Sequence, residues 1–217
     1  MNKKAEAIAY CSRQRQYSPE ELLAFYLKVS PRAREALAKS LMISGKLKKY
    51  EAAALYSLME PYNQKGNTIL EIGTRLGYSA SIIAQAAPLA KVVTMESSSV
   101  RSEKARKNLV SFPNVVVQDG VSWDVLAEYT GPLLAAIFVD ADHLRASRDV
   151  PWFNWLKDGG LILFHDYVPV GSWPVVAAVQ AMARKFGRRP AIEILDTNGV
   201  GMAGFYRQGL SEVYNVS

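Results

Sequence analysis

The chain has 217 residues, enough for one full α/β domain with an appendage and a sizeable core. An apolar fraction of 49% and a charged fraction of 21% are ordinary for a soluble globular protein, and the longest apolar run, Leu133–Val139, is far too short to span a bilayer. The single cysteine, Cys11, excludes an internal disulfide, and with no charged-then-apolar leader at the start it sets the expectation of a cytoplasmic protein.

The net charge of +6 is unevenly placed: residues 1–60 hold 11 Lys/Arg against 6 Asp/Glu, and the remainder 15 against 14. Such a basic appendage could meet nucleic acid, an anionic substrate or an acidic partner, or could simply be a solvated helical surface. Its first strong helix signal is Ser18-Pro19-Glu20-Glu21, an N-cap followed by proline and acids in the first turn. Ser30-Pro31 restarts a second helix that ends near Gly45. A third spans about Lys46 to Glu60, with Leu47, Tyr50, Ala54, Leu55 and Leu58 at helical spacing. Pro61 and a polar stretch to Asn67 stop it, so residues 1–66 read as a helical extension and 67–217 as the main domain.

From Thr68 strands and helices alternate, the pattern of a parallel sheet covered on both faces. Strands are predicted at Thr68–Ile72, Lys91–Met95, Asn114–Gln118, Leu134–Val139, Leu161–Phe164, Ile192–Leu195 and Met202–Arg207. Helices are predicted at Ser79–Ala87, Val100–Val110, Ser122–Glu128, Arg145–Leu156 and Val175–Phe186. The turn between Leu195 and Met202 is too short for a helical crossover, so the last strand must run antiparallel.

The stretch Thr68–Ala80, TILEIGTRLGYSA, feeds a strand through a glycine turn into a helix. Such a turn aims bare N–H groups and a positive dipole end at one cavity. Dinucleotide sites carry G-x-G-x-x-G, but here Gly73 and Gly77 lack a middle glycine and no Walker lysine follows. Glu71 would repel pyrophosphate and suits an ammonium group. Glu96, ending the second strand, is placed to accept both ribose hydroxyls of a nucleoside. Asp119-Gly120, after the third strand, places a carboxylate for an adenine amino group.

These residues resemble the class I S-adenosylmethionine-dependent methyltransferases, and Glu71–Ser79 is similar to the first motif of the catechol-type O-methyltransferases. The resemblance runs from Thr68 to about Arg207. It implies a Rossmann-like, seven-stranded, mostly parallel sheet with an antiparallel last strand and helices on both faces. It further implies S-adenosylmethionine bound by Glu71, Gly73, Thr74, Gly77, Ser79, Glu96, Asp119, Gly120 and Asp140.

The fourth strand ends in Asp140-Ala-Asp142-His143 and the fifth in His165-Asp166, bringing both histidines of the chain to one rim. Carboxylate and imidazole donors there could hold a divalent ion, with Mg²⁺ favoured by the carboxylates. A bound ion would acidify a substrate hydroxyl, and a nearby histidine could take its proton. The stretch Phe138–His143, Asp149, Trp155–Gly160 and Phe164–Asp166 resembles methyltransferase type 24 and metal-dependent sugar and macrolide O-methyltransferases. By that resemblance Asp140 and Asp166 take metal positions and His143 the general-base position. His165, a third metal candidate, stands where those enzymes carry an acidic residue; a softer ion or a hydrogen bond to substrate are its alternatives. The loop Tyr167–Trp173 is aromatic and proline-rich, suited to wall a substrate pocket.

The expected reaction is O-methylation of a small hydroxylated acceptor, a sugar, phenol or secondary metabolite. Amino methylation of bases pairs with an Asn/Asp-Pro-Pro-aromatic tetrad, where this chain reads Asp-Ala-Asp-His. Carbon-5 methylation of pyrimidines needs a nucleophilic cysteine, and Cys11 lies outside the fold. An RNA ribose hydroxyl, and a domain that binds S-adenosylmethionine without turnover, remain the alternatives. Each site residue also has a plainer role: Gly73 and Gly77 as a ligand-free turn, Asp140 as a helix cap, His143 and His165 as structural histidines, Asp166 as a loop anchor. No membrane partner is expected, and a homo-oligomer through the N-terminal helices stays open.

Overall fold

A computed structural model describes residues 17–168, 174–199 and 201–214; Cys11 and Trp173 lie outside them. Three helices precede the sheet: α1 (Pro19–Val29), α2 (Ala33–Ser40) and α3 (Lys49–Met59). The start of α1 is fixed reciprocally, since Glu21 N–H donates to Ser18 Oγ at 3.2 Å and Ser18 N–H donates to Glu21 Oε2 at 2.9 Å. Helix α3 is buried on every residue from Tyr50 to Met59, so it is a core helix and not a surface one.

Seven strands follow: β1 (Thr68–Ile72), β2 (Lys91–Glu96), β3 (Val115–Asp119), β4 (Leu134–Val139), β5 (Leu156–Tyr167), β6 (Ile192–Leu195) and β7 (Gly201–Tyr206). They form one sheet in the order β3-β2-β1-β4-β5-β7-β6. The first five pair in parallel, while β7 runs antiparallel to both β5 and β6, as the short turn before it requires. The intervening helices are α4 (Tyr78–Ala86), α5 (Ser99–Asn108), α6 (Ser122–Ala127) and α7 (Pro174–Phe186).

One predicted helix is absent. Residues Arg145–Leu156 instead form two 3₁₀ segments, His143–Arg148 and Val150–Trp155, meeting at Asp149. Pro151 accounts for the break: it has no N–H to donate, and in a continuous α-helix its ring would clash with the preceding turn. Strand β5 correspondingly begins at Leu156, earlier than the predicted Leu161, and pairs with Leu134 across a register shift.

Side chains alternate across the sheet with the period of two that a pleated strand dictates. Ile69, Val92, Ala136, Phe138, Leu161 and Leu163 face one core, shared with α1, α3 and α4. Leu70, Ile72, Ile137, Val139, Ile162 and Phe164 face the other, filled by Trp152, Phe153 and the apolar stripe of α7. The first core takes Leu22, Tyr26, Leu55 and Met59 from the leading helices, which makes them part of the packed interior. Because β1 lies between β2 and β4, the strand order reverses there and leaves a crevice at the carboxyl ends.

Leu55 is fully buried in α3 against this core. Leu55→Ala is expected to lower unfolding stability by about 2–5 kcal/mol, the range for deleting a buried leucine side chain. Urea unfolding followed by circular dichroism checks it; a loss under ~0.5 kcal/mol would mean that α3 is not part of the cooperative core.

Candidate active site

At the carboxyl edge of the sheet lies a cavity of about 640 Å³. Its walls are the turns after β1 (Gly73–Leu76), β2 (Glu96, Ser97), β3 (Gly120–Trp123), β4 (Asp140–His143) and β5 (His165, Asp166). The loop Ser44–Leu47, between α2 and α3, completes it.

Gly73 shapes the floor. Its φ is +104°, and a Cβ there would lie 2.1 Å from the carbonyl oxygen of Asp140. No side chain fits such an approach. The Asp140 N–H donates to Ile72 O at 2.9 Å, so the ends of β1 and β4 are tied directly together. Gly77, φ +92°, opens α4 and would collide with Leu109 if it carried a Cβ.

The residues expected to bind a cofactor divide by position. Gly73, Thr74, Ser79, Glu96, Gly120 and Asp140 line the cavity. Glu71 does not; it is fully buried behind the turn, accepting from Thr94 Oγ1, while Thr74 and Thr94 hydroxyls meet at 2.5 Å. Burial pushes the Glu71 carboxyl up to about 8, with the Thr94 hydrogen bond opposing. Nor does Asp119 line the cavity: its exposed carboxylate pairs with Arg106 at 2.7 Å, and its neighbour Gly120 faces inward instead. Gly77 sits one layer back, positioning Tyr78 and Ser79.

Glu96 is buried, with Oε2 accepting the Arg75 N–H at 2.8 Å and Oε1 accepting from Ser98 N–H at 2.9 Å and Arg101 Nε at 3.0 Å. These bonds hold one carboxylate against the turns of β1 and α5. Trp123 lines the cavity from α6, with the Arg148 guanidinium 5.1 Å from its ring centroid. Asp149, buried, accepts from Ser122 and so anchors the turn that presents Trp123; burial raises its carboxyl to about 6.

The rim after β4 and β5 holds the titratable cluster. His143 Nε2 lies 2.9 Å from Asp166 Oδ2, and that hydrogen bond raises the imidazole above its ordinary range. Asp166 adopts φ +52°, unusual for a residue with a Cβ, and its carboxyl is held well below the usual range by His143 and then His165. His165 is 5% exposed, with Nδ1 3.1 Å from Asp140 Oδ1 and 3.4 Å from Asp166 Oδ1. Burial alone would lower it, but the surrounding carboxylates raise it well above an ordinary imidazole.

Ligand atoms of Asp140, His143 and Asp166 all lie within 4.8 Å of one another, so two carboxylates and one imidazole converge where a divalent ion could bind. Of the three residues expected to hold metal, Asp140 and Asp166 are in this group; His143 is its third member, while His165 turns its other nitrogen away. That nitrogen, Nε2, faces Glu51 Oε2 at 3.3 Å. Glu51, buried in α3 behind the rim, is a neighbour of the site that sequence reasoning missed. A charged residue inside the buried run Tyr50–Leu55 was the available signal.

A family model described as a methyltransferase domain matches residues 70–167, from β1 to the end of β5. A catechol O-methyltransferase of Mycobacterium tuberculosis is 28% identical over 148 residues, covering 63% of this chain and 67% of that protein. A protein-L-isoaspartate O-methyltransferase of Methanospirillum hungatei is 32% identical over 128 residues, covering 57% of this chain; the match spans about half of that relative, 52%. Among solved structures, a cofactor-bound protein of Mycobacterium tuberculosis superposes with TM-score 0.65 at 24% identity, over 90% of this chain and 100% of that one. TomG of Streptomyces achromogenes, an O-methyltransferase in complex with SAM, gives 0.60 at 22% identity, over 94% and 96%. These structural likenesses are of fold.

The buried Glu71 carries a pH signature. Its folded value, about 8, lies above the unfolded value near 4.5, so its favourable contribution is complete below about 4.5 and is lost as pH rises through 8. The wild type is therefore expected to lose stability relative to Glu71→Gln between pH 5 and 8. Parallel unfolding free energies for the two proteins across that window would contradict the assignment.

Proposed function

We propose, for a chain that belongs to the class I S-adenosylmethionine-dependent methyltransferases, that it transfers the sulfonium methyl to a hydroxyl oxygen of a small acceptor, with assistance from a divalent ion. The observation that carries this reading is the His143–Asp166 pair, 2.9 Å apart, on the same rim as Asp140 and beside the Gly73 turn. The relatives named as O-methyltransferases point to oxygen as the acceptor atom. A cavity of about 640 Å³ falls in the range of small-molecule sites, which favours a sugar, phenol or secondary metabolite over RNA.

In this reading the nucleoside part of S-adenosylmethionine lies along the turns of β1, β2 and β3, with Glu96 facing the ribose and Gly120 and Trp123 near the base. The methyl then points to the β4–β5 rim. His143 takes the proton of the acceptor hydroxyl, and Asp166 orients the imidazole as it does so. Methyl transfer itself requires in-line contact between oxygen and methyl, so holding the two together supplies much of the acceleration. The Asp140, Asp166 and His143 donors fit a divalent ion, which when bound would lower the pKa of an acceptor hydroxyl. With His143 as third donor the imidazole would serve as ligand and not as base, a second reading that the 4.8 Å convergence favours. The Ser44–Leu47 loop, between α2 and α3, would wall the acceptor side.

Calorimetry with S-adenosylmethionine is expected to show binding, and its absence would sink the proposal. With an acceptor found by screening hydroxylated compounds, His143→Ala and Asp140→Ala should each reduce kcat by about 10²–10⁴. Full turnover in both variants would remove these residues from the mechanism. Chelation that abolishes turnover, restored by Mg²⁺, supports the ion; turnover indifferent to chelator leaves His143 as unassisted base.

A further inference from the structure

We propose that Glu51, contributed by α3 ahead of the matched domain, is a positioning residue that fixes the His165 ring and through it the carboxylates of Asp140 and Asp166. Glu51 is 1% exposed, and His165 is 5% exposed. An acid this deeply buried needs partners, because an isolated carboxylate is costly to desolvate. The Glu51 oxygens have three: Oε2 accepts the Lys48 N–H at 2.7 Å and lies 3.3 Å from His165 Nε2, and Oε1 accepts from Tyr50 Oη at 3.3 Å. On its other edge the same imidazole meets Asp140 at 3.1 Å and Asp166 at 3.4 Å. The ring is thus held from both ends, between α3 and the tips of β4 and β5.

The Glu51 contact at 3.3 Å is an ion-pair contact, and Nε2 makes no hydrogen bond of good geometry among the described residues, so loss of the Glu51 carboxylate removes the acid that faces this nitrogen. The ring is then held by polar contacts at its Nδ1 edge alone, from Asp140 and Asp166. Phe138, edge-on at 6.2 Å between ring centroids, supplies packing but no polar restraint. Asp166, already in a sparsely populated backbone region at φ +52°, depends on its two imidazole contacts to stay in place. Glu51 acts at a distance in this scheme: the reacting groups touch Asp140, His143 and Asp166, and Glu51 reaches them through His165. The link to methyl transfer rests on the proposed function, whereas the orientation of the ring does not.

The competing role for Glu51 is that of a helix cap alone, since its Oε2 accepts the N–H at the start of α3. Glu51→Gln separates the two. Glutamine at the third helical position closes a capping box as glutamate does, but it removes the carboxylate that faces Nε2. The chain has two histidines, so ¹⁵N-histidine labelling of the full-length protein yields two imidazole spin systems, and His143→Asn identifies which is which. The expected result is a folded Glu51→Gln protein whose His165 ring nitrogens shift clearly, with a smaller shift at His143 through the shared Asp166. Unchanged His165 nitrogens in Glu51→Gln would overturn the proposal, as would His143 nitrogens that shift as much as those of His165. Should Glu51→Gln not fold, Glu51→Asp keeps the charge one methylene short of the ring: displaced His165 signals support the proposal and unmoved ones overturn it. Neither readout requires S-adenosylmethionine to bind, so failure of the functional reading and failure of this one are separable.

Discussion

The close passage of Gly73 over the Asp140 carbonyl is the constraint on which the rest of the molecule depends. Two adjacent parallel strands leave the sheet there in opposite directions, and the crevice between them is the cavity. Bringing the turn of β1 to within van der Waals range of the end of β4 needs a residue with no Cβ and a positive φ, which glycine provides. Once that contact is made, the Ile72 carbonyl receives the Asp140 N–H, and the β4 rim cannot move independently of the Gly73 turn. A chemical group carried on Asp140 or His143 is therefore at a fixed reach from anything held by the Gly73 turn. In-line transfer between two bound molecules demands that kind of rigidity.

The leading helices extend the same logic. Helix α3 buries Leu55 and Met59 against the sheet and, from the same turn that begins it, sends Glu51 toward His165. Lys48, just before α3, reaches Asp196 at 2.7 Å, so the start of this helix is tied to the β6–β7 hairpin as well as to the β5 tip. A segment outside the matched domain thus contributes to the core, to one wall of the cavity and to the charge balance of the rim.

Much of this was legible in the chain itself. The alternating apolar runs gave every strand, because a sheet covered on both faces leaves near-continuous hydrophobic segments. The Leu195–Met202 turn required the antiparallel end. Pro151 is incompatible with the helix expected at Arg145–Leu156, where two short 3₁₀ segments form instead. Within the site, residues at strand ends could be placed because strand order in such folds aligns their tips. Side-chain direction could not be read the same way. Glu71 lies on the buried side of its strand and Asp119 swings outward to Arg106, facts that depend on pleat and on a partner distant in sequence. Glu51 was invisible for a similar reason: no local spacing connects a helix in the extension to a histidine at the fifth strand.

The electrostatics of the rim explain why these far-apart residues belong together. Asp140, Asp166 and Glu51 all approach one imidazole. Two unit charges 4 Å apart repel by about 4 kcal/mol at an effective dielectric of 20, so carboxylates gathered this closely need cationic or hydrogen-bonding company. His165 supplies it from inside the fold, and His143 supplies it at the mouth, where Asp166 is half-open to solvent. The inner histidine is enclosed and fixed; the outer one, facing the cavity, can exchange its proton. Two histidines around the same pair of acids thus sit in different surroundings, one enclosed in the fold and one facing the cavity, and what divides them is burial.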